Sequence, residues 1–162
     1  AGAKVIGIGK LEDIFSKAGI THAIHTGSNK EGLELTIKAL VGSLDLEKIK
    51  YEGVNITDDD REIIFTNLVD TDMLFGHRNN AKGYGEAIEE IDDYLEKILP
   101  LIGENDLLII TADHGCDPTV PGTDHTREQV PVLYYSKNIE PKDLGITLGF
   151  DSISKRVSDW LF

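Results

Sequence analysis

Two stretches of the chain place an aspartate and a histidine directly after an apolar run. In the first, Asp113 and His114 follow residues 106–111, and His125 lies further along the same turn-rich stretch. An aspartate offers a hard anionic oxygen and a histidine offers an imidazole nitrogen, and both are common metal ligands. This stretch therefore carries candidate ligands for a metal ion.

The second stretch repeats the arrangement. Residues 63–69 form a compact apolar run, Asp72 follows it, and His77 lies a few residues later beside a glycine. Asp70 also ends this run and is the competing candidate. Taken alone, an aspartate or a histidine at such a place also serves as a helix cap or a turn residue. The repetition of the pattern is what indicates a site.

Together the two stretches supply a mixed set of oxygen and nitrogen donors. Its members are Asp72, His77, Asp113, His114 and His125. Such a set suits Mn²⁺, Zn²⁺ or Fe²⁺ better than Ca²⁺, which takes oxygen ligands. The set is too large for one tetrahedral ion and too small for two complete sites. A two-metal centre for phosphoryl transfer would need a further carboxylate and a nucleophile.

Alternating strands and helices have to position these residues. Predicted strands cover residues 5–8, 22–25, 63–69, 106–111 and 130–135, and predicted helices cover 11–18, 28–41, 81–99 and 151–161. This rhythm is typical of an α/β domain with a largely parallel sheet. Ligand sites in such sheets lie at the carboxyl ends of the strands, which is where both candidate stretches begin. Residues 43–62 are polar and are interpreted as a surface excursion.

The composition is that of a folded domain with an acidic surface. The 162 residues are 40% hydrophobic and 28% charged, and the net charge is -13. A chain of this length is expected to form one domain. Because the charge would repel a phosphate backbone or an anionic bilayer, nucleic acid and membrane are not expected as partners.

Compartment signals are few. The single cysteine, Cys116, cannot form an internal disulfide, which favours a reducing cytoplasm. No apolar run approaches the roughly 18 residues of a membrane span, and the start of the chain lacks the apolar stretch of a signal peptide. Cys116 is interpreted as a small packing residue, and Asp117 as a turn residue.

The candidate stretches resemble a known family. The string TADHGCDPT at residues 111–119, with PGTDHTRE at 121–128, is similar to the phosphopentomutases of the alkaline phosphatase superfamily. The resemblance extends to VIGIGKLEDI at 5–14 and FTNLVDTD at 65–72. The strand-end Asp-His-Gly is shared across the superfamily, whereas the Cys-Asp-Pro continuation is more specific.

The resemblance implies a fold and an activity. The fold would be a partial three-layer α/β/α sandwich of the alkaline phosphatase type with a mostly parallel sheet. The activity would be interconversion of ribose or deoxyribose 1-phosphate and 5-phosphate through a phosphothreonine at a centre holding two Mn²⁺ ions. By position, Asp72, His77 and His125 match the ligands of one ion, and Asp113 and His114 match ligands of the other. The family pattern favours Asp72 over Asp70.

The resemblance covers roughly the C-terminal two-fifths of a family member. Residues 1–162 are therefore expected to form one unit, the C-terminal part of the metal-binding core domain, without the N-terminal core segment and the cap domain. The nucleophilic threonine is expected upstream, so no catalytic residue is expected in this chain. The expected partners are a sugar phosphate, the missing N-terminal segment and, through exposed sheet edges or apolar surface, a second copy of the chain.

Two rival functions remain open on the sequence. One is another metal-dependent phosphotransferase or phosphatase of the same superfamily, which the Cys-Asp-Pro string argues against. The other is a non-catalytic fragment that binds metal weakly or not at all. Because the nucleophile has no counterpart here, the isolated chain is expected to be inactive under either reading.

Overall fold

A parallel sheet forms the first half of the molecule. The computed structural model describes residues 2–54 and 56–162, with residues 58–60 described by their backbone alone. The strands are β1 (Ala3–Ile8), β2 (His22–Ile24) and β3 (Asp58–Thr66). Within the described residues they form one sheet in the order β2-β1-β3, with both pairings parallel. The predicted α/β fold with a mostly parallel sheet is confirmed, and it is consistent with a partial sandwich of the alkaline phosphatase type.

Strand β3 starts earlier than predicted, inside the segment interpreted as a surface excursion. Its first residue pairs with Ala3, and the register then shifts so that Lys4 pairs with Glu62. The Lys4 ammonium and the Glu62 carboxylate form an ion pair at 2.7 Å. A short helix, α3 (Leu46–Ile49), also lies in the predicted excursion. Pairing with a neighbouring strand overrides the polar composition of the segment.

The first helix is shorter than predicted. Helix α1 (Leu11–Ile14) ends four residues before the expected boundary. Ser16 and Lys17 adopt positive φ angles of 49° and 64°, which end a right-handed helix. The apolar spacing that predicted a helix to residue 18 carries no information about these backbone angles, and only Leu11 of this stretch is buried, because Ile14 and Phe15 are 59% and 44% exposed.

The second helix begins and ends as its sequence predicts. Helix α2 (Asn29–Leu40) is capped by Ser28, whose side chain accepts a hydrogen bond from the Glu31 N–H at 3.2 Å. At its other end Gly42 has a φ of 67°, and its N–H donates to the Ala39 carbonyl at 3.0 Å. This glycine ends the helix because the left-handed conformation costs it little.

The core lies between α2, the sheet and the longest helix, α4 (Ala81–Ile98). Tyr94 and Ile98 of α4 pack with Leu33 and Ile102. Each fully buried isoleucine contributes about 1.5–3 kcal/mol to stability. The acidic residues of α4 occupy its exposed face, as the helical spacing predicts.

Two further strands form a small antiparallel sheet. Strands β4 (Leu108–Thr111) and β5 (Val132–Tyr135) pair from Leu108 with Tyr135 to Thr111 with Val132. The last helix, α5 (Asp151–Leu161), is joined to the segment before β4 by a hydrogen bond from Trp160 Nε1 to the Asn105 carbonyl at 2.9 Å. Among the described residues, no helix is long and apolar enough to cross a membrane.

Candidate metal centre

The loops that follow β3 and β4 meet at one cluster of candidate ligand atoms. Asp72, His114 and His125 each offer an atom, and these atoms all lie within 4.8 Å of one another. His77 adjoins them, because its Nε2 lies 3.3 Å from Asp72 Oδ1. Asp72 lies on a π-helical turn (Thr71–Phe75), a rare element often found at functional sites.

Asp72 Oδ1 is the centre of the cluster. This atom is buried and has no hydrogen-bond donor among the residues that the structure describes. The Nε2 atoms of His77 and His125 both lie 3.3 Å from it. A buried acceptor left without a partner costs about 1–3 kcal/mol. A positive charge placed between these three atoms would remove that cost.

Backbone carbonyls fix which nitrogen of two histidines is free. His77 Nδ1 contacts the Thr123 carbonyl, and His114 Nδ1 lies 3.1 Å from the Gly115 carbonyl. A carbonyl oxygen only accepts hydrogen bonds, so each Nδ1 carries the proton and donates. In a neutral imidazole the Nε2 atom is then the one left with a lone pair, which is the form in which histidine binds a metal.

A backbone bridge holds His114 beside His125. Gly115 and Thr126 pair as an isolated antiparallel bridge, and the Thr126 N–H donates to the Gly115 carbonyl at 3.0 Å. The rings of His114 and His125 stack with centroids 3.6 Å apart and planes 18° from parallel. A Cβ atom at Gly115 would lie 2.8 Å from the Thr126 carbonyl oxygen, so a glycine is needed for this close approach.

Glycine is also needed where the β3 loop contacts the β4 loop. A Cβ atom at Gly76 would overlap Cys116 Sγ. Burial, followed by the nearby Asp72 carboxylate, raises the pKa of the Cys116 thiol. Protonated and in contact with Gly76, this side chain has the packing role that its residue type predicted. Asp117 accepts from the Thr119 N–H at 2.8 Å, which confirms the predicted turn.

The structure separates the remaining candidates from the cluster. The Asp113 side chain is 76% exposed, and its Oδ1 lies 3.7 Å from His114 Nε2. It borders the cluster without joining the group within 4.8 Å. Asp70, the competing candidate, binds the first turn of α2, where its Oδ2 accepts from the Asn29 N–H at 2.7 Å.

A second group of possible ligands was missed by the sequence reasoning. It consists of Glu12, Asp13 and His25, and His25 Nε2 lies 2.6 Å from Glu12 Oε1. Tyr51 Oη donates to Glu12 Oε2. Burial and this hydrogen bond raise the pKa of Tyr51 to about 12, and the same bond lowers the pKa of Glu12. No short motif joins these residues, so the chain offered no signal for the group.

Comparison with known proteins gives the class of this chain. A family model described as the metalloenzyme superfamily matches residues 8–159. The chain belongs to the metalloenzyme superfamily, and its cluster of imidazole nitrogens around an orphaned carboxylate oxygen fits a metal site.

The particular relatives are phosphopentomutases. The chain is 46% identical over 160 residues to the phosphopentomutase of Caldanaerobacter subterraneus subsp. tengcongensis, covering 98% of this chain and 37% of that protein. It is 45% identical over 160 residues to that of Anaeromyxobacter sp. strain K and 42% identical over 161 residues to that of Clostridium kluyveri, covering 99% of this chain and 37% of each relative. The chain thus spans 37% of the length of these curated relatives.

Proposed function

We propose that this chain supplies part of the metal centre of a phosphopentomutase. The proposed reaction moves a phosphoryl group between the 1- and 5-hydroxyls of ribose or deoxyribose. The observation that carries the proposal is the buried Asp72 Oδ1, which faces two imidazole nitrogens at 3.3 Å and has no donor among the described residues. The similarity to phosphopentomutases supports the choice of reaction.

The proposed centre holds two Mn²⁺ ions. Asp72, His77 and His125 would hold one, and Asp113 and His114 would contribute to the other. The stacking of His114 on His125 supports neighbouring sites, because two-metal phosphoryl-transfer centres place their ions ~3.5–4 Å apart. Bound divalent ions would stabilise the charge on the attacking and leaving oxygens of the phosphoryl group.

The chain's own residues orient this chemistry. The Thr123 and Gly115 carbonyls hold His77 and His114 in the tautomer that presents Nε2 to the centre. Local cations would set the field at the site, which reconciles an acidic chain of net charge -13 with an anionic sugar phosphate. The proposal takes residues 1–162 as one unit of the metal-binding core, with the nucleophilic threonine and the remaining ligands supplied from outside them.

A Mn²⁺ titration followed by electron paramagnetic resonance tests the metal centre. We expect saturable binding of about one ion by the chain, and at least about tenfold weaker binding by His125→Ala. His25→Ala is the matched control, because it removes the histidine of the other group of possible ligands and leaves the cluster intact. Binding that is indifferent to His125, or that is lost in His25→Ala instead, contradicts the proposed site.

A chimera tests the reaction. The 160 matched residues of the Caldanaerobacter phosphopentomutase are replaced by this chain, and conversion of ribose 1-phosphate to ribose 5-phosphate is followed by ³¹P NMR. We expect conversion by the chimera and loss of conversion in its His125→Ala form. A folded chimera that binds Mn²⁺ and releases inorganic phosphate without isomerising the sugar would favour a phosphatase of the same superfamily.

A further inference from the structure

Asn29 is a fully buried polar residue outside the proposed ligand set. It is the first residue of α2 and is 0% exposed. Its backbone N–H donates to Asp70 Oδ2 at 2.7 Å, and the Asp70 N–H donates to Asn29 Oδ1 at 2.9 Å. These two reciprocal bonds are called here the Asn29–Asp70 clasp. They join the start of α2 to Asp70, which follows β3 in the chain.

The clasp lies where the ligand-bearing segment begins. Asp70 immediately precedes the π-helical turn that carries Asp72, and His77 lies on the next turn, Gly76–Arg78. The far end of this segment is also tied down, because the Asn80 N–H donates to the Phe75 carbonyl at 3.0 Å and the Asn80 side chain caps α4. The segment that holds Asp72 and His77 is therefore fixed at both ends.

The Asn29 side chain is an unfavourable choice for packing alone. Its Nδ2 is buried and has no hydrogen-bond partner among the described residues. An apolar side chain of the same shape would avoid this orphaned donor. What the amide supplies at this position is its Oδ1, the acceptor for the Asp70 N–H.

We propose that Asn29 is a positioning residue for the metal centre. Through the clasp it fixes the start of the 70–78 segment and keeps Asp72 Oδ1 and His77 Nε2 within reach of His125. The clasp also gives the two aspartates of this segment different roles. Asp70 is bound at the N-terminus of α2, where its negative charge is favourable, and Asp72 remains available to the metal centre. This inference rests on the proposed function, because it assigns a role relative to that centre.

The test compares variants that break the clasp with variants that keep it. Asn29→Leu removes the Oδ1 acceptor while keeping the branching of the side chain, and Asp70→Ala removes the other acceptor from a less buried position. Asp70→Asn removes the charge but keeps an acceptor for the Asn29 N–H. Ser28→Ala is the matched control, because it weakens the same helix end by removing the bond to the Glu31 N–H.

Two readouts are taken on the 162-residue chain after circular dichroism shows which variants fold. Mn²⁺ affinity is expected to fall by about tenfold to a hundredfold in Asn29→Leu and Asp70→Ala, and to stay within about threefold of the parent in Asp70→Asn and Ser28→Ala. In the metal-free chain, ¹⁵N-imidazole NMR is expected to show altered His77 resonances in the first two variants only.

The outcomes separate this inference from the proposed function. If Asn29→Leu does not fold, Asp70→Ala carries the comparison with Asp70→Asn. A parent chain that binds no Mn²⁺ but shows the expected His77 pattern refutes the metal centre and supports the clasp. A parent chain that binds Mn²⁺ equally well when the clasp is broken refutes the clasp. Equal losses in Asp70→Asn and Asp70→Ala also refute it, because the charge of Asp70 would then be what matters.

Discussion

The approach of Gly115 to residues 126–128 leads to a sharp mutational prediction. A Cβ atom at position 115 would lie 2.6 Å from Glu128 Oε2, 2.8 Å from the Glu128 N and 2.8 Å from the Thr126 carbonyl oxygen. Real Cβ atoms essentially never approach other atoms this closely, and two of these three atoms belong to the backbone. In Gly115→Ala the two backbone segments must therefore separate by more than half an ångström to reach ordinary contact at 3.4 Å.

That separation should cost both stability and metal affinity. Overpacking of this kind destabilises by about 1–3 kcal/mol. For a chain of this length, each kcal/mol lowers the melting temperature by about 2–4 °C. Because the bridge from Gly115 to Thr126 sets the position of His125 beside His114, we expect Mn²⁺ binding to weaken by at least about tenfold, which corresponds to about 1.4 kcal/mol.

The assay is a thermal melt followed by circular dichroism, with Mn²⁺ titration of the folded variant. Gly85→Ala is the matched control, because a Cβ atom there meets nothing within 4 Å and the residue lies on the exposed face of α4. It should be stabilised by roughly 0.5–1 kcal/mol with unchanged Mn²⁺ affinity. A Gly115→Ala chain that melts and binds Mn²⁺ like the parent would refute the reasoning.

Four further predictions concern other features of the chain. Ultraviolet titration should show one tyrosine that ionises at about pH 12, and this ionisation should be missing in Tyr51→Phe. Since the folded pKa of Tyr51 is raised, the stability that this residue contributes is present below pH 10 and is lost as the pH rises through 12. Because Glu12 has a lowered pKa, Tyr51→Phe should also flatten the loss of stability below about pH 4.5, and urea midpoints that fall equally with acid in both chains would count against this. The isolated chain should show no mutase turnover, and mass spectrometry should find no phosphothreonine; phosphate on Thr71, Thr111, Thr123 or Thr126 would contradict the proposal. Light scattering should detect self-association at high concentration, because Ile146 and Leu148 are 75% and 90% exposed, and a strict monomer would argue against it.

The chemistry-bearing motifs were predictable because they are local. Asp113 and His114 follow directly on β4, and Asp72 follows β3, so the rule that sites lie at carboxyl ends of strands places them at once. The boundaries of α2 were also predictable, since Ser28 and Gly42 act on the backbone within a few residues of themselves.

The remainder depends on contacts between residues far apart in the chain. The Asn29–Asp70 clasp, the bond from Tyr51 to Glu12 and the pairing of Asp58 with Ala3 each join distant segments. Composition and spacing describe a residue's neighbours along the chain and carry no information about such partners. The early end of α1 was not predicted for another reason. Left-handed φ angles are usually indicated by a glycine, and here they occur at Ser16 and Lys17.

The short bridge between Gly115 and Thr126 has a consequence for the order in which the site forms during folding. It closes only the loop of residues 116–125, and loops of about ten residues close in roughly 10–100 ns. His114 and His125 can therefore meet as soon as this loop closes. Asp72 joins them only after contacts that are distant in sequence have formed, which is slower because more chain entropy is lost. A partly folded chain then offers a pair of imidazoles without the carboxylate, so full metal affinity becomes a property of the completed fold.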